Sequence, residues 1–125
     1  MAMIWGNKED CEAATYLKAV GSLLPTPLPG APGPFALTEN KALVHILAEI
    51  GFKNMESVDV SSVWDYPTMD IALRGLLSAG PAVKAIEHSG IGKVSEIISA
   101  AVTPYVQADG HVVYHNKFRI VIAEK

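Results

Sequence analysis

The sequence has little cysteine, no excess of basic charge and no long hydrophobic run, and each shortage excludes a class of protein. The single cysteine, Cys11, permits no internal disulfide and no cysteine-based metal site. The net charge of −3 means that the sequence lacks the excess of basic residues that is typical of nucleic-acid-binding proteins. No apolar run approaches the roughly 18 residues that a membrane-spanning helix needs. Nothing near Met1 has the pattern of a signal peptide, so we expect a cytoplasmic protein.

Apolar residues, by contrast, are abundant for a chain of this size. Half of the 125 residues are hydrophobic and only 18% are charged. The length is typical of one domain, and we therefore expect residues 1–125 to form a single domain. Such a composition favours either an extensive hydrophobic core or an exposed apolar face that binds another protein.

The end of the sequence, residues 111–123, predicts a central β-strand. It follows an Asp-Gly turn signal at residues 109–110 and is rich in β-branched and aromatic residues. Side chains alternate between the two faces of a strand, and both faces are largely apolar over residues 118–123. A strand that is covered on both faces belongs in the middle of a sheet, with a neighbour on each edge.

Two other stretches have the composition of strands, the N-terminal residues 2–5 and residues 55–64. Because helices join these two, we expect them to run parallel, with the strand 111–123 antiparallel between them. The predicted fold is therefore α/β, a small mixed sheet of three strands with about five helices. The outer edge of the first strand has no partner in the sequence, and such an edge invites another chain.

Capping residues and prolines divide the remaining sequence. Thr38 and Thr68 are predicted N-caps, and Gly51 is the expected left-handed residue after the helix that carries the apolar stripe of residues 43–50. The loop at 25–34 holds five of the eight prolines, so it forms neither helix nor central strand. It is interpreted as a stiff linker, as a lid over a cleft or as a ligand for a proline-binding domain.

Several segments resemble the C-terminal third of class I S-adenosylmethionine-dependent methyltransferases, in the branch related to quinone and sterol methyltransferases. In that fold the seventh strand inserts between the fifth and the sixth, as predicted here for the last strand. The segments that carry the resemblance are Ile4-Trp5-Gly6-Asn7-Lys8-Glu9-Asp10-Cys11, Pro32-Gly33-Pro34-Phe35-Ala36-Leu37, Ala42 to Phe52, Ala72 to Ile86 and Asp109 to Ala123.

The resemblance implies S-adenosylmethionine as the cofactor of the family, but the motif that binds it is missing from this sequence. The family holds the cofactor at a glycine-rich turn after its first strand, where the backbone must approach the ligand closely. No Gly-x-Gly-x-Gly occurs here, and the chain starts where four strands of that fold should already have passed. We therefore expect a substrate-side domain that binds no cofactor and has no catalytic residues of its own.

The resemblance also implies which residues contact the methyl acceptor. Aromatic side chains suit a planar or isoprenoid-like acceptor, and an arginine suits an acidic group. For each candidate the alternative is ordinary packing, or, for the arginine, an ion pair with Asp70 four residues earlier. The substrate-binding candidates are Trp5, Tyr16, Phe35, Tyr66, Arg74 and His115.

No metal site is expected, because His111 and His115 lie about 13 Å apart along a strand.

Three interpretations stay open at this point. The chain is a methyltransferase-related domain that works beside a partner chain carrying the cofactor-binding half. Alternatively, it is a stand-alone homodimer that pairs through the N-terminal strand edge, as an interaction protein or a binder of small apolar ligands. The third interpretation is a truncated product of a disrupted gene. None of the three involves nucleic acid, a membrane or a metal.

Overall fold

The structure, a computed structural model, describes residues 1–125 and is an α/β fold of five α-helices and three β-strands. The strands are β1 (Ala2–Trp5), β2 (Lys53–Tyr66) and β3 (Val112–Glu124). The helices are α1 (Ala14–Gly21), α2 (Ala42–Glu49), α3 (Met69–Leu77), α4 (Gly80–Ser89) and α5 (Ile91–Val102). None of these helices combines the length and the apolar character that crossing a membrane requires.

The strand order is β1-β3-β2, which confirms that the C-terminal strand is central. The ladder between β1 and β3 is antiparallel and runs from Ala2 opposite Val121 to Trp5 opposite Phe118. The predicted parallel relation between β1 and β2 is not confirmed, and the sheet is antiparallel throughout rather than mixed. β1 and β2 each pair with β3 and share no hydrogen bonds with each other.

The chain folds into two compact units, each assembled from separate segments. Unit 1 comprises Met1–Cys11, Pro32–Ser62 and His115–Lys125, and unit 2 comprises Glu12–Ala31 and Val63–Tyr114. The expectation of a single domain stays a prediction.

Unit 2 contains most of the buried apolar side chains. Helix α5 packs against α1, α3 and α4, and it buries Val94, Ile98 and Val102 completely. These three residues are four apart, which places them on one face of the helix. Each such side chain contributes about 1.5–3 kcal/mol when it is removed from water. The helices of unit 2 are therefore held together around α5.

Unit 1 has a much smaller core. Only Cys11, Phe35 and Val121 belong to it among the sixteen buried hydrophobic side chains of the chain. Trp5 stacks on Phe118 with ring centroids 4.7 Å apart. Several large apolar side chains of this unit stay exposed, namely Met1, Met3, Leu37, Ile46, Ile50, Val58 and Ile122.

Helix α2 begins later than the sequence predicts. Thr38 does not cap it, because the Thr38 hydroxyl donates a hydrogen bond to the carbonyl of Trp5 instead. Asn40 and Lys41 then adopt left-handed conformations, with φ of 51° and 56°, before the helix starts at Ala42. A contact between distant segments has overridden the local capping signal.

The end of α2 follows the prediction. The N–H of Phe52 donates to the carbonyl of Leu47 and the N–H of Gly51 to that of Ala48, both at 3.0 Å. These two bonds define a Schellman motif, in which the residue after the helix is left-handed, and Gly51 has φ of 94°. The predicted cap of α3 is also present, because Thr68 accepts a bond from the N–H of Ile71.

Replacing Gly51 with valine should lower the free energy of unfolding by about 1–2 kcal/mol, since a β-branched residue fits a left-handed position badly. The cost is conformational, because a Cβ at Gly51 would meet no other atom within 4 Å. Urea unfolding followed by circular dichroism measures the change. Gly51→Asn is the matched control, since asparagine tolerates the left-handed region, and it should cost clearly less. Equal unfolding curves for the valine variant and the wild type would contradict this helix end.

Candidate functional site

A cleft with a volume of about 570 Å³ opens in unit 1 between the start of α2 and the strands. Its size falls within the range of small-molecule sites, about 300–1,000 Å³. We call it the α2 cleft. Its lining comprises Ile4, Leu37, Thr38, Lys41, Leu43, Val44, Met55, Ser57, Val58, Asp59, Arg119 and Val121. Seven of these twelve side chains are apolar, so the cleft offers an apolar cavity with a few polar groups.

The strand register places part of the floor of the cleft. Ile4 lies directly opposite Arg119 in the ladder between β1 and β3, so their side chains share one face of the sheet. Val121 is two residues further along β3 and therefore points to the same side. Val121 is buried, whereas Arg119 is partly open to solvent.

A bidentate ion pair lies within this lining. The Nε of Arg119 is 2.7 Å from one carboxylate oxygen of Asp59, and its Nη2 is 2.8 Å from the other. Nη2 also donates to the side-chain oxygen of Asn7 at 3.3 Å. The hydrogen bonds from Arg119 lower the pKa of the Asp59 carboxyl, because they favour its charged form. The Nη1 group of Arg119 makes no hydrogen bond.

Lys41 is the third charged residue of the cleft. It is exposed and forms no ion pair. Its left-handed backbone costs about 1–2 kcal/mol for a residue other than glycine. Strained backbone of this kind is concentrated at ligand-binding sites, where the surrounding structure holds it in place. The segment before α2 therefore holds a strained, unpaired cation at an apolar cleft.

Three of the predicted substrate-binding residues lie in unit 1. Trp5 and Phe35 come together, with ring centroids 5.7 Å apart, and Phe35 is buried. His115 is exposed on β3. None of the three lines the α2 cleft. The burial of Phe35 agrees with ordinary core packing, the alternative to substrate contact.

The other three predicted residues lie in unit 2. Tyr16 is buried and its hydroxyl donates to the carbonyl of Leu76 at 2.8 Å. Burial raises the pKa of Tyr16 to about 12, and burial also raises the pKa of the half-buried Tyr66. Arg74 is exposed on α3 and makes no ion pair with Asp70. Tyr16 is therefore packed inside unit 2, and Arg74 stays open to solvent.

An aromatic cluster in unit 2 was not predicted. The ring of Tyr114 stacks on that of Tyr105 at a centroid distance of 4.3 Å and meets Trp64 edge-on at 6.2 Å. The Tyr114 hydroxyl is buried and has no hydrogen-bond partner, and burial raises its pKa. The hydroxyls of Thr15 and Tyr105 lie 3.0 Å apart, within hydrogen-bond distance. Alternation along β3 places Tyr114 on the same face as the buried Val112, which is a signal that the sequence did contain.

Comparisons with known proteins give no assignment: no protein-family model matches the chain, and no curated protein is significantly similar to it. No three His, Cys, Asp or Glu side chains lie close enough together to hold a metal ion.

A histidine and a carboxylate form an exposed pair in unit 2. The Nδ1 of His111 lies 2.6 Å from a carboxylate oxygen of Asp65. The hydrogen bond to Asp65 raises the pKa of His111, because it stabilises the imidazolium form. Asp109 also accepts a bond from the backbone N–H of His111 at 3.1 Å.

The stability that the His111–Asp65 pair contributes should be greatest in mild acid. A raised folded-state pKa means that the contribution is fully present below the unfolded-state pKa, about 6.5, and is lost as the pH rises through the folded-state value. The unfolding free energy of the wild type should therefore exceed that of Asp65→Asn more at pH ~5.5 than at pH ~8.5. Urea unfolding at both values measures this difference. Asp70→Asn is the control and should show no such trend, and a difference that grows with pH would contradict the pair.

Proposed function

We propose that this chain is a substrate-side domain of the class I S-adenosylmethionine-dependent methyltransferase lineage, and that it requires a separate cofactor-binding part for activity. The observation that carries the proposal is the strand order β1-β3-β2, in which the last strand lies between the two earlier ones. This order matches the insertion of the seventh strand between the fifth and sixth in the methyltransferase fold. The segments that carry the resemblance include β3 and the end of β1, but not β2.

The glycines of the chain support the need for a separate cofactor-binding part. Gly6 directly follows β1, which the resemblance equates with the fifth strand of that fold and not with the first, and its N–H donates to the carbonyl of Lys117 at 2.7 Å. A Cβ at Gly6 would lie 2.8 Å from that same carbonyl oxygen. Gly6 therefore allows two backbone segments to approach each other and leaves no space for a nucleoside. No Gly-x-Gly-x-Gly occurs elsewhere in the sequence.

An uncovered apolar face of unit 1 supports the docking of that cofactor-binding part. Met3 lies directly opposite Ile120 in the ladder, and Ile122 shares their face of the sheet. Met3 is 64% exposed and Ile122 is 47% exposed. Contiguous apolar surface of this kind marks a contact site for another protein segment. A cofactor-binding part that extends the sheet at β1 would cover it.

The chain alone should bind no S-adenosylhomocysteine at millimolar concentration in calorimetry, because it lacks the glycine-rich turn. A chimera in which it replaces the C-terminal third of a quinone-type methyltransferase should bind the same ligand with a micromolar Kd. The same chimera with Ile122→Asp should bind S-adenosylhomocysteine more weakly, since a charge on the apolar face opposes docking of the cofactor-binding part.

Two outcomes would overturn this assignment. Micromolar binding by the chain alone would mean that no separate part is needed. A folded chimera that fails to bind, or one that is insensitive to Ile122→Asp, would mean that this chain is not the substrate-side domain of such an enzyme.

The unpaired edge of β1 favours a second candidate function, a homodimeric interaction protein. β1 has a neighbour only on the β3 side, so its outer row of N–H and C=O groups is open. Such an edge is a template for pairing with another strand. Two copies of β1 would form one continuous sheet and bring the exposed Met3 side chains of both copies together.

If this second function applies, light scattering should give twice the chain mass of 13.3 kDa at micromolar concentration. Met3→Lys should shift the protein to monomer, because a lysine on an edge strand opposes pairing. Leu28→Lys, at an exposed position of the proline loop, is the control and should leave the dimer intact. A monomer at every micromolar concentration would contradict the homodimer.

A further inference from the structure

We propose that the α2 cleft binds an aliphatic monocarboxylate, with the hydrocarbon chain in the apolar part of the cleft and the carboxylate at Lys41 and Arg119. The site goes beyond the proposed methyltransferase relationship, because all of its residues lie in unit 1 and no cofactor takes part. None of its residues was predicted to contact a methyl acceptor.

The shape and lining of the cleft favour an aliphatic ligand. Leu37 faces it from the segment before α2, and Leu43 and Val44 face it from the first turn of α2. The strands contribute Ile4, Met55, Val58 and Val121. No aromatic side chain takes part, so nothing in the lining would stack on a planar ring. Flexible hydrocarbon fills such a cavity by dispersion contacts and by release of water from apolar surface.

The charges of the cleft favour a ligand with one negative charge. Lys41 and Arg119 are cations, and Asp59 is an anion that neutralises Arg119 through two hydrogen bonds. One positive charge is left over in the lining, which balances a carboxylate and not a phosphate dianion. Arg119 still has the two N–H donors of Nη1 available, so it can donate to a carboxylate without breaking its pair with Asp59.

The backbone around Lys41 holds this cation at the cleft. Asn40 and Lys41 are both left-handed, and the α-helical conformation begins at the next residue. The Thr38 hydroxyl is bonded to the carbonyl of Trp5, which fixes the segment on its other side. Lys41 therefore lies between a residue that is fixed by a tertiary hydrogen bond and the first residue of α2. These two neighbours hold its left-handed backbone in place, while its side-chain charge has no partner.

The test uses the isotope-labelled chain alone, with octanoate as the probe and octan-1-ol as the uncharged comparison. Octanoate should cause saturable shifts in amide resonances on both sides of the cleft, at residues 43–44 and 55–59. Octan-1-ol should bind about tenfold more weakly, because a charge-assisted hydrogen bond is lost. Lys41→Gln should weaken octanoate about tenfold and leave octan-1-ol unchanged. Lys18→Gln, at an exposed lysine of α1, is the matched control and should change neither.

Val44→Trp should abolish binding by filling the cleft, and its own amide spectrum shows whether it folds. Shifts that do not saturate, or that fall outside the cleft, would overturn the site. Equal affinity for octanoate and octan-1-ol, or an unchanged affinity in Lys41→Gln, would overturn the carboxylate. These outcomes are independent of the methyltransferase proposal, since neither S-adenosylhomocysteine nor a cofactor-binding part is present in the experiment.

Discussion

The position of β3 between β1 and β2 is the constraint on which unit 1 depends. The carbonyl of Lys117, on β3, accepts hydrogen bonds from the N–H of Gly6 and from the thiol of Cys11 at 3.3 Å. This oxygen therefore fixes the turn that leaves β1. Two residues further along β3, Arg119 pairs with Asp59 on β2. One short stretch of the central strand thus connects both of its neighbours, with few buried apolar side chains to help.

The uneven distribution of buried side chains gives the two units different roles. Unit 2 has a core in which α5 packs on three other helices. Unit 1 leaves apolar side chains such as Met3 and Ile50 open to water. Segments with few buried apolar contacts open more readily and gain most from a partner. Association, whether with a cofactor-binding part or with a second copy, is therefore expected at unit 1.

The sequence predicts the strands and helix ends that depend on neighbouring residues. It does not predict the contacts between segments that are distant in the chain. The central strand followed from residues 118–123, which are apolar on both faces, and Gly51 marked a helix end because glycine suits left-handed backbone. Thr38, predicted to cap α2, instead donates its hydroxyl to a carbonyl 33 residues away. The pair of Asp59 with Arg119 spans 60 residues, and only the strand register brings the two together. Lysine has no preference for left-handed backbone, so the conformation of Lys41 left no signal.

The Asp59–Arg119 pair links the architecture of the cleft to its chemistry. The two residues lie on neighbouring strands, so their two hydrogen bonds help to fix the register of β2 against β3. The same bonds neutralise a cation that would otherwise face an apolar cavity without a counter-ion, which is costly. Because Asp59 neutralises Arg119, Lys41 is the charged residue of the lining that has no partner within it. A contact that holds two strands in register therefore also sets the charge that the α2 cleft can accept.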